Sequence, residues 1–268
     1  MPLSRRECLI RVAGGFAASF LAMSSPVRTA ASPTVKAIAF DAFAIFDVRP
    51  ISALAEQLVP GKGAELISAW RARQFEYQWL RNLAGHYADF WEVTEDALVY
   101  ATKLLKLDLS GNERGELMGA YLQLRSWPEA PLALAALKSE GIRLAFLSNA
   151  TPQILNGGIS NSRLEGVFEH VLSTDQIKSY KPNPRAYQMA VEAFGLRREE
   201  IVFVAFAGWD AVGARWFGYP TFWVNRLELP GEELGVAPDA IGVTVNDLVS
   251  FVKTSAYESS SAPCTPRV

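Results

Sequence analysis

Four polar positions of the sequence each follow an apolar stretch and could contribute to one reaction centre. They are Asp41, the pair Ser148 and Asn149, Lys181, and Asp210. A carboxylate can act as a nucleophile, a lysine can stabilise its charge, and Ser and Asn side chains can bind an anion. Each position also has an ordinary explanation, because Asp, Ser and Asn often cap helices or turns and a Lys before Pro is often solvated. Their repetition after successive apolar runs favours a common site.

The segments that carry these positions alternate between apolar runs and helical patterns. From Val35 to Val48 the chain is almost continuously apolar, which is typical of a strand covered by helices on both faces. Later apolar runs, each separated by a helical pattern, lie at 142–147, 167–172, 201–207 and, as an expected edge strand, 220–225. Such alternation predicts an α/β fold with a doubly wound parallel sheet. Ligands of these sheets bind beyond the carboxyl ends of the strands, where the polar positions lie.

A helical segment interrupts this pattern between residues 49 and 127. Strand signals are absent there, and apolar residues recur at helical spacing along a long amphipathic helix that contains Arg71. We therefore predict an α/β core formed by residues 33–48 and 128–253, with residues 49–127 inserted as a helical cap. The aromatic content of the cap also predicts self-association as a homodimer.

The two ends of the chain differ from its body. Residues 1–31 contain the pair Arg5-Arg6, a Gly/Ala-rich apolar run and small residues before Ala31, which is typical of a twin-arginine export signal. The apolar run is shorter than the roughly 20 residues that span a bilayer. We therefore predict export to the periplasm without a stable membrane span. Residues 254–268 are rich in Ser and Pro and predict a disordered tail.

Composition excludes several classes of protein. The chain has 268 residues, of which 50% are hydrophobic, and a net charge of −2, so it can form a substantial core. The body contains no cluster of Lys and Arg, which argues against a nucleic-acid partner. Only Cys8 and Cys264 are present, and removal of the leader would leave one thiol. An intramolecular disulfide and a cysteine-based zinc site are therefore not expected.

Between Val35 and Val252 the sequence resembles the haloacid dehalogenase superfamily, and within it the type II L-2-haloacid dehalogenases. The resemblance is carried by five motifs: FDAFAIFDV, WRARQFEYQWLR, LSNATP, YKPNPRAY and GWDAVGARWFGYPTFWVNR. It implies a Rossmann-like core with a cap domain. It also implies a hydrolase that needs neither a cofactor nor a metal.

The resemblance assigns the catalytic roles to three residues. Asp41 would attack the carbon that bears the halogen and form an ester, which water would then hydrolyse. Lys181 would keep the Asp41 carboxylate ionised through its positive charge. Asp210, together with Tyr187, would orient these groups and the hydrolytic water.

The remaining implied roles concern binding of the substrate and of the halide. Arg71 and Asn149 would accept the departing halide. Ser148 would hold the substrate carboxylate near the amino end of the following helix, where free N–H groups favour anions. Trp209 lies between a strand end and Asp210, and we expect it to line the site, as we expect of Tyr187.

The first and last motifs depart from the family pattern. Phosphatases of the superfamily carry a second Asp two residues after the nucleophile, where this chain has Phe43. A leaving alcohol could not be protonated by that route, whereas a halide needs no proton. DAFAIFD is one residue shorter than the family motif and lacks its Gly and Thr, and Ala205-Phe206-Ala207 replaces Ser-Ser-Asn. These changes imply fewer polar partners, and hence a weak enzyme, a bulkier substrate or a protein that only binds.

From these residues we predict a hydrolytic dehalogenase that cleaves the carbon–halogen bond of short 2-haloalkanoic acids through an ester on Asp41. Two alternatives stay open at this point. One is a magnesium-dependent phosphatase of the same superfamily, and the other is a catalytically silent homologue that binds a small anion.

Overall fold

The computed structural model describes the backbone of residues 35–260 and the side chains of residues 35–254. The export signal predicted for residues 1–31 and the last eight residues of the predicted tail lie outside this range. The strands are β1 (Ala37–Phe40), β2 (Phe46–Asp47), β3 (Arg125–Ser126), β4 (Arg143–Ser148), β5 (His170–Ser173), β6 (Ile201–Ala205), β7 (Thr221–Val224) and β8 (Ala240–Gly242). The helices are α1 (Ala42–Ile45), α2 (Arg49–Leu58), α3 (Gly63–Ala84), α4 (Phe90–Leu104), α5 (Gly111–Ala120), α6 (Ala130–Ser139), α7 (Pro152–Asn161), α8 (Pro184–Phe194), α9 (Gly208–Phe217) and α10 (Val245–Ser260).

Six strands form one parallel sheet in the order β5-β4-β1-β6-β7-β8. The central strand β1 is fully buried, with Ala37 and Ala39 in the apolar core on one face of the sheet and Ile38 and Phe40 in the core on the other. The predicted doubly wound α/β fold is therefore confirmed. Because β1 lies between β4 and β6, the residues that follow these three strands lie close together at the carboxyl ends of the strands.

The apolar run from Val35 to Val48 is not one strand, contrary to the sequence expectation. After β1 the side chain of Asp41 accepts the N–H of Phe43 and begins the short helix α1. The chain then forms β2, which pairs antiparallel with β3. These two short strands are the segments that lead into and out of the helices between residues 49 and 120. A capping side chain thus ends the strand where hydrophobicity alone predicts its continuation.

Two differences from the sequence expectation concern the end of the chain. Strand β7 was expected at the edge of the sheet, but β8 pairs with it and forms the edge. Helix α10 continues to Ser260, so residues 254–260 are helical rather than part of a disordered tail. No Gly or Pro interrupts α10, and the first proline after it is Pro263.

The helices α2 to α5 pack together over the carboxyl edge of the sheet. Helix α3 buries a stripe of residues four apart, in which Leu66 and Trp70 are followed by Gln74 and Gln78. Trp70 donates from Nε1 to the carbonyl of Thr94 in α4 at 2.7 Å, which fixes the two helices together. Among the described residues, none of the helices is long and apolar enough to cross a bilayer.

Candidate active site

Asp41 lies at the carboxyl end of β1 and is 8% exposed. Its Oδ1 accepts a hydrogen bond from Lys181 Nζ at 2.9 Å, and its Oδ2 accepts the backbone N–H of Phe43 at 3.1 Å. The backbone N–H of Asp41 donates to the carbonyl of Val204 in β6 at 2.9 Å, which fixes the start of the turn. Because Oδ2 has one donor among the described residues, it keeps a free lone pair that can attack an electrophilic carbon.

Lys181 is 1% exposed and lies between two carboxylates. Its Nζ contacts Asp41 Oδ1 at 2.9 Å and Asp210 Oδ2 at 2.5 Å. Burial lowers the pKa of Lys181, but the charges of Asp210 and Asp41 outweigh burial, so the pKa is raised above its ordinary value. Lys181 is therefore a permanent cation that holds both carboxylates in place.

Asp210 is the third member of this cluster and lies in the first turn of α9. Burial raises its pKa from 3.8 to about 6 against the lowering effect of Lys181, and the negative charge of Asp41 adds to the rise. Asp210 can therefore exchange a proton near neutral pH, as a general base must. Asp210 and Asp41 contact the same lysine nitrogen, and both carboxylates line the same cavity.

Tyr187 does not line the cavity, so the prediction that it contacts the substrate is corrected. It is fully buried on the far side of the sheet, in the apolar core with Ala39 and Phe203. Its hydroxyl donates to Asp210 Oδ1 at 2.7 Å. Burial raises the pKa of Tyr187 well above its ordinary value, and Asp210 adds to the rise. Tyr187 therefore orients Asp210 as a neutral donor.

Ser148 ends β4, and Asn149 follows it in the turn that leads to α7. Asn149 Oδ1 accepts the backbone N–H of Lys181 at 2.9 Å and the hydroxyl of Thr174 at 3.2 Å. Ser148 Oγ accepts the N–H of Ala150 at 3.2 Å. The Ser148 hydroxyl hydrogen has no acceptor among the described residues, so it can donate into the cavity.

A cavity of about 50 Å³ lies between these strand ends and the helices above them. Of the predicted site residues, six line it, namely Asp41, Arg71, Ser148, Asn149, Trp209 and Asp210. Arg71 reaches it from α3. In the part of the chain that the structure describes, its guanidinium has no hydrogen bond or ion pair, so it is a cation available to an anionic ligand.

Aromatic rings form the other side of the cavity. Phe43 packs against Phe90 and Phe206 at centroid distances of 6.2 and 6.3 Å. Trp209 packs edge-on against Phe75 at 5.4 Å, and its indole Nε1 is buried without a partner in the described chain. Together these side chains exclude water from the carboxylate and strengthen electrostatic interactions inside the cavity.

The sequence reasoning missed Gln78, which is fully buried and lines the cavity. Its Oε1 accepts a hydrogen bond from Asn149 Nδ2 at 3.0 Å. A signal was present in the sequence, because Gln78 continues the buried stripe of α3 and lies seven residues after Arg71. A polar side chain on a buried stripe, on the same helix face as a functional arginine, indicates a site residue.

The described residues contain no group of three or more His, Cys, Asp or Glu side chains that could hold a metal ion. The side chains present instead combine a buried carboxylate nucleophile, a permanent cation beside it and a base that titrates near pH 6. They also supply an unpaired guanidinium and neutral donors for anions. This set is suited to displacement of an anionic leaving group by a carboxylate, followed by hydrolysis.

Comparison with known proteins indicates the family of this chain. The family model for haloacid dehalogenase-like hydrolases matches residues 13–218. The chain is 41% identical to an (S)-2-haloacid dehalogenase of Pseudomonas sp. (strain YL), over 83% of this chain and 96% of that protein. It is 43% identical to haloacetate dehalogenase H-2 of Moraxella sp. (strain B), over 81% of this chain and 98% of the relative.

A solved structure of the same kind extends the similarity to the fold. The L-2-haloacid dehalogenase from Xanthobacter autotrophicus with chloropropionic acid covalently bound is 32% identical and has a TM-score of 0.75, over 82% of this chain and 99% of that chain. The protein therefore belongs to the haloacid dehalogenase-like hydrolases. Within that family its relatives are the L-2-haloacid dehalogenases, as the resemblance indicated.

Proposed function

We propose that the protein is a hydrolytic dehalogenase that cleaves the carbon–halogen bond of short 2-haloalkanoic acids through an ester on Asp41. The observation that carries the proposal is the contact of Lys181 Nζ with both Asp41 and Asp210, in a cavity that also contains the unpaired Arg71. The similarity to (S)-2-haloacid dehalogenases supports the same activity.

In the first step, Asp41 Oδ2 attacks the carbon that bears the halogen. A carbon–oxygen bond forms as the carbon–halogen bond breaks, and the halogen leaves with the bonding electrons as a halide. No proton is transferred, so the step needs no general acid. Arg71 and the Asn149 amide supply positive charge and a hydrogen-bond donor for the halide. The Ser148 hydroxyl is placed to hold the substrate carboxylate.

In the second step, water attacks the ester at the Asp41 carboxyl carbon. Asp210 removes a proton from the water, and Lys181 stabilises the negative charge that develops on the Asp41 oxygen it contacts. The bond between the Asp41 carboxyl carbon and the ester oxygen then breaks, and the leaving oxygen takes the proton held by Asp210, which releases a 2-hydroxy acid. The second proton of the water passes to solvent as Asp41 ionises again, so the cycle consumes one water and releases one halide and one proton.

The size of the cavity indicates the substrate class. Its volume is about 50 Å³, and bulky aromatic side chains enclose one side of it. The apolar side of the cavity therefore limits the substrate rather than admitting a bulkier one. One relative is named haloacetate dehalogenase, and haloacetate is a two-carbon acid.

The phosphatase alternative has less support from the geometry. Two residues after Asp41 the chain places Phe43, whose ring packs against Phe90 and Phe206. This position therefore offers neither a proton for a leaving alcohol nor a ligand for magnesium.

The test is halide release by the purified protein from chloroacetate, 2-chloropropionate and 2-chlorobutyrate. We expect release from the first two acids and at least about tenfold lower kcat/KM for the four-carbon acid. p-Nitrophenyl phosphate with and without magnesium is the parallel assay, and we expect no turnover. Folded protein that hydrolyses the phosphate ester but releases no halide would contradict the proposal.

We also propose that the protein is exported by the twin-arginine route to the periplasm. The support is the sequence of residues 1–31, with Arg5-Arg6 before an apolar run. The test is fractionation of cells that produce the wild type or the Arg5→Lys/Arg6→Lys variant, which keeps both charges. Export of the wild type and retention of the variant are expected, and equal distribution of the two would contradict the proposal.

We propose in addition that the protein forms a homodimer. Helix α3 ends with Leu80 and Leu83, which are 59% and 85% exposed and lie on neighbouring turns of the helix. Neighbouring exposed apolar side chains are typical of an interface. Light scattering should give the mass of a dimer for the wild type and that of a monomer for Leu80→Gln/Leu83→Gln. A wild-type monomer at micromolar concentration would contradict the proposal.

A further inference from the structure

Gln78 has a buried donor that nothing in the described protein uses. The side chain is fully buried, and its Nε2 has no hydrogen-bond partner among the described residues. Buried donors of this kind are rare in native proteins, because an unmade hydrogen bond in a dry environment is unfavourable. Gln78 also lines the cavity that contains Asp41. An acceptor supplied by the substrate would satisfy the donor.

The orientation of the Gln78 amide follows from its neighbours. Asn149 Oδ1 receives the backbone N–H of Lys181, which can only donate, so the oxygen of Asn149 must lie on that side. Asn149 therefore presents Nδ2 to Gln78, and Gln78 must meet it with Oε1. Nε2 is consequently the atom of Gln78 that stays without a partner, and the hydrogen-bond network fixes this assignment.

The surroundings of Nε2 indicate which acceptor it meets. Gln78 lies seven residues after Arg71, or about two helical turns, so both side chains leave the same face of α3. Both line the cavity, and Gln78 contacts Asn149 directly. Under the proposed function, Arg71 and Asn149 stabilise the departing halide. The Gln78 donor is therefore beside the group that gains negative charge as the carbon–halogen bond breaks.

We propose that Gln78 is a specificity-determining residue for the leaving group: its Nε2 donates a hydrogen bond to the halogen as it departs. This inference rests on the proposed function and adds a selectivity to it. A smaller halide has a higher charge density and accepts a stronger hydrogen bond, and a carbon–chlorine bond is harder to break than a carbon–bromine bond. The donor should therefore assist chloro acids more than bromo acids.

The test compares kcat/KM for L-2-chloropropionate with that for L-2-bromopropionate. The two substrates share the same carboxylate and carbon skeleton, so effects on binding of those parts cancel in the ratio. Gln78→Met removes the donor at nearly constant volume, and we expect the chloro-to-bromo ratio to fall about tenfold. Gln78→Glu keeps an oxygen facing Asn149 but replaces the Nε2 donor by a second oxygen. The chloro-to-bromo ratio of kcat/KM should therefore fall at least as far.

Gln74→Met is the matched control. Gln74 lies one turn earlier on the same buried stripe of α3 and also lines the cavity, but its Nε2 donates to Thr94 Oγ1 at 2.5 Å. The substitution removes a glutamine whose donor is already used inside the cap. It should change stability or overall rate without moving the chloro-to-bromo ratio by more than about twofold.

Inhibition by the product halide gives a second measurement on the same variants. Chloride should inhibit the wild type more strongly than it inhibits Gln78→Met, whereas Gln74→Met should respond like the wild type. An unchanged ratio in both Gln78 variants, with chloride inhibition also unchanged, would overturn the inference and leave the proposed function intact. A wild-type protein that releases no halide from any halo acid would instead refute the proposed function.

Discussion

The two sides of the cavity are constructed differently. On one side Asp41, Lys181, Asp210 and Asn149 form one connected set of hydrogen bonds and ion pairs. On the other side the wall is apolar, with Phe43, Phe90 and Phe206 in contact, and Arg71 has no polar partner in the described chain. The polar side is fixed before a ligand arrives, whereas the cation on the apolar side is left free for one.

This difference separates reactivity from selectivity. The polar side holds the nucleophile and the base in a fixed geometry, so little reorganisation is needed during the reaction. The apolar side keeps water out and lowers the local dielectric constant, which strengthens the interactions of Arg71 with an anion. Substitution of Asp41, Lys181 or Asp210 should therefore lower the rate with every substrate, and substitution of the aromatic wall should change which substrates react.

The largest effect is expected for Asp41→Asn, on the polar side. Asn keeps the shape of the side chain but cannot form the ester, so kcat should fall by on the order of 10⁴-fold or more. Asp47→Asn is the control, because Asp47 pairs with Arg49 outside the cavity. Halide release measures both variants. Equal loss of activity in the two would point to disturbed folding near the start of the cap rather than to loss of a nucleophile.

The next effect is expected for Lys181→Met, also on the polar side. Removal of the buried cation leaves Asp41 and Asp210 facing each other without compensation, so kcat should fall roughly 100- to 1,000-fold with chloro and bromo acids alike. Thermal unfolding should also shift to lower temperature. A loss confined to one halogen would mean that Lys181 contacts the leaving group, which contradicts the assigned role.

The dependence of kcat on pH should reflect the ionisation of Asp210. Its pKa is raised to about 6, chiefly by burial, and the ionised form is the one that accepts a proton from water. Ester formation removes the negative charge of Asp41, which contributes to this rise, so hydrolysis of the ester should slow about tenfold per pH unit below a midpoint somewhat under pH 6 and level off above it. A profile of kcat from pH 4.5 to pH 8 measures this. A rate that stays constant down to pH 4.5 would exclude Asp210 as the base.

The smallest effect is expected for Phe206→Ala, on the apolar side. The shorter side chain enlarges the cavity, so kcat/KM for 2-chlorobutyrate should rise about two- to tenfold relative to chloroacetate. Phe217→Ala, in an aromatic cluster on the far side of the sheet, is the control for general loss of packing. If the Phe206 variant lowers kcat/KM equally for halo acids of every chain length, this wall contributes to the rate rather than to selectivity.

Much of the fold could be predicted, because buried parallel strands are apolar runs separated by helices. The sequence predicted Asp41 at the end of a buried strand but did not reveal α1 and β2 after it, since a capping contact depends on local backbone geometry. The three-residue strand Ala240–Gly242 was missed because it is short and partly exposed.

The site was predictable where a residue follows a strand directly. Asp41 and Asn149 do so, and the parallel sheet brings them together, while Asp210 lies in the first turn of the helix that follows β6. Tyr187 and Gln78 were not predictable in the same way. Tyr187 reaches Asp210 from behind the sheet, and the free donor of Gln78 is evident only once the partners of Asn149 are known.

The most direct test of the central claim is a single turnover in H₂¹⁸O with the protein in excess over 2-chloropropionate. If water attacks the ester at the Asp41 carboxyl carbon, ¹⁸O enters the peptide that contains Asp41 and raises its mass by about 2 Da, while the first 2-hydroxy acid released is unlabelled. If water attacks the substrate carbon directly, the label appears in the 2-hydroxy acid and the Asp41 peptide keeps its mass. The first result is predicted, and the second would contradict the assignment of Asp41 as the nucleophile.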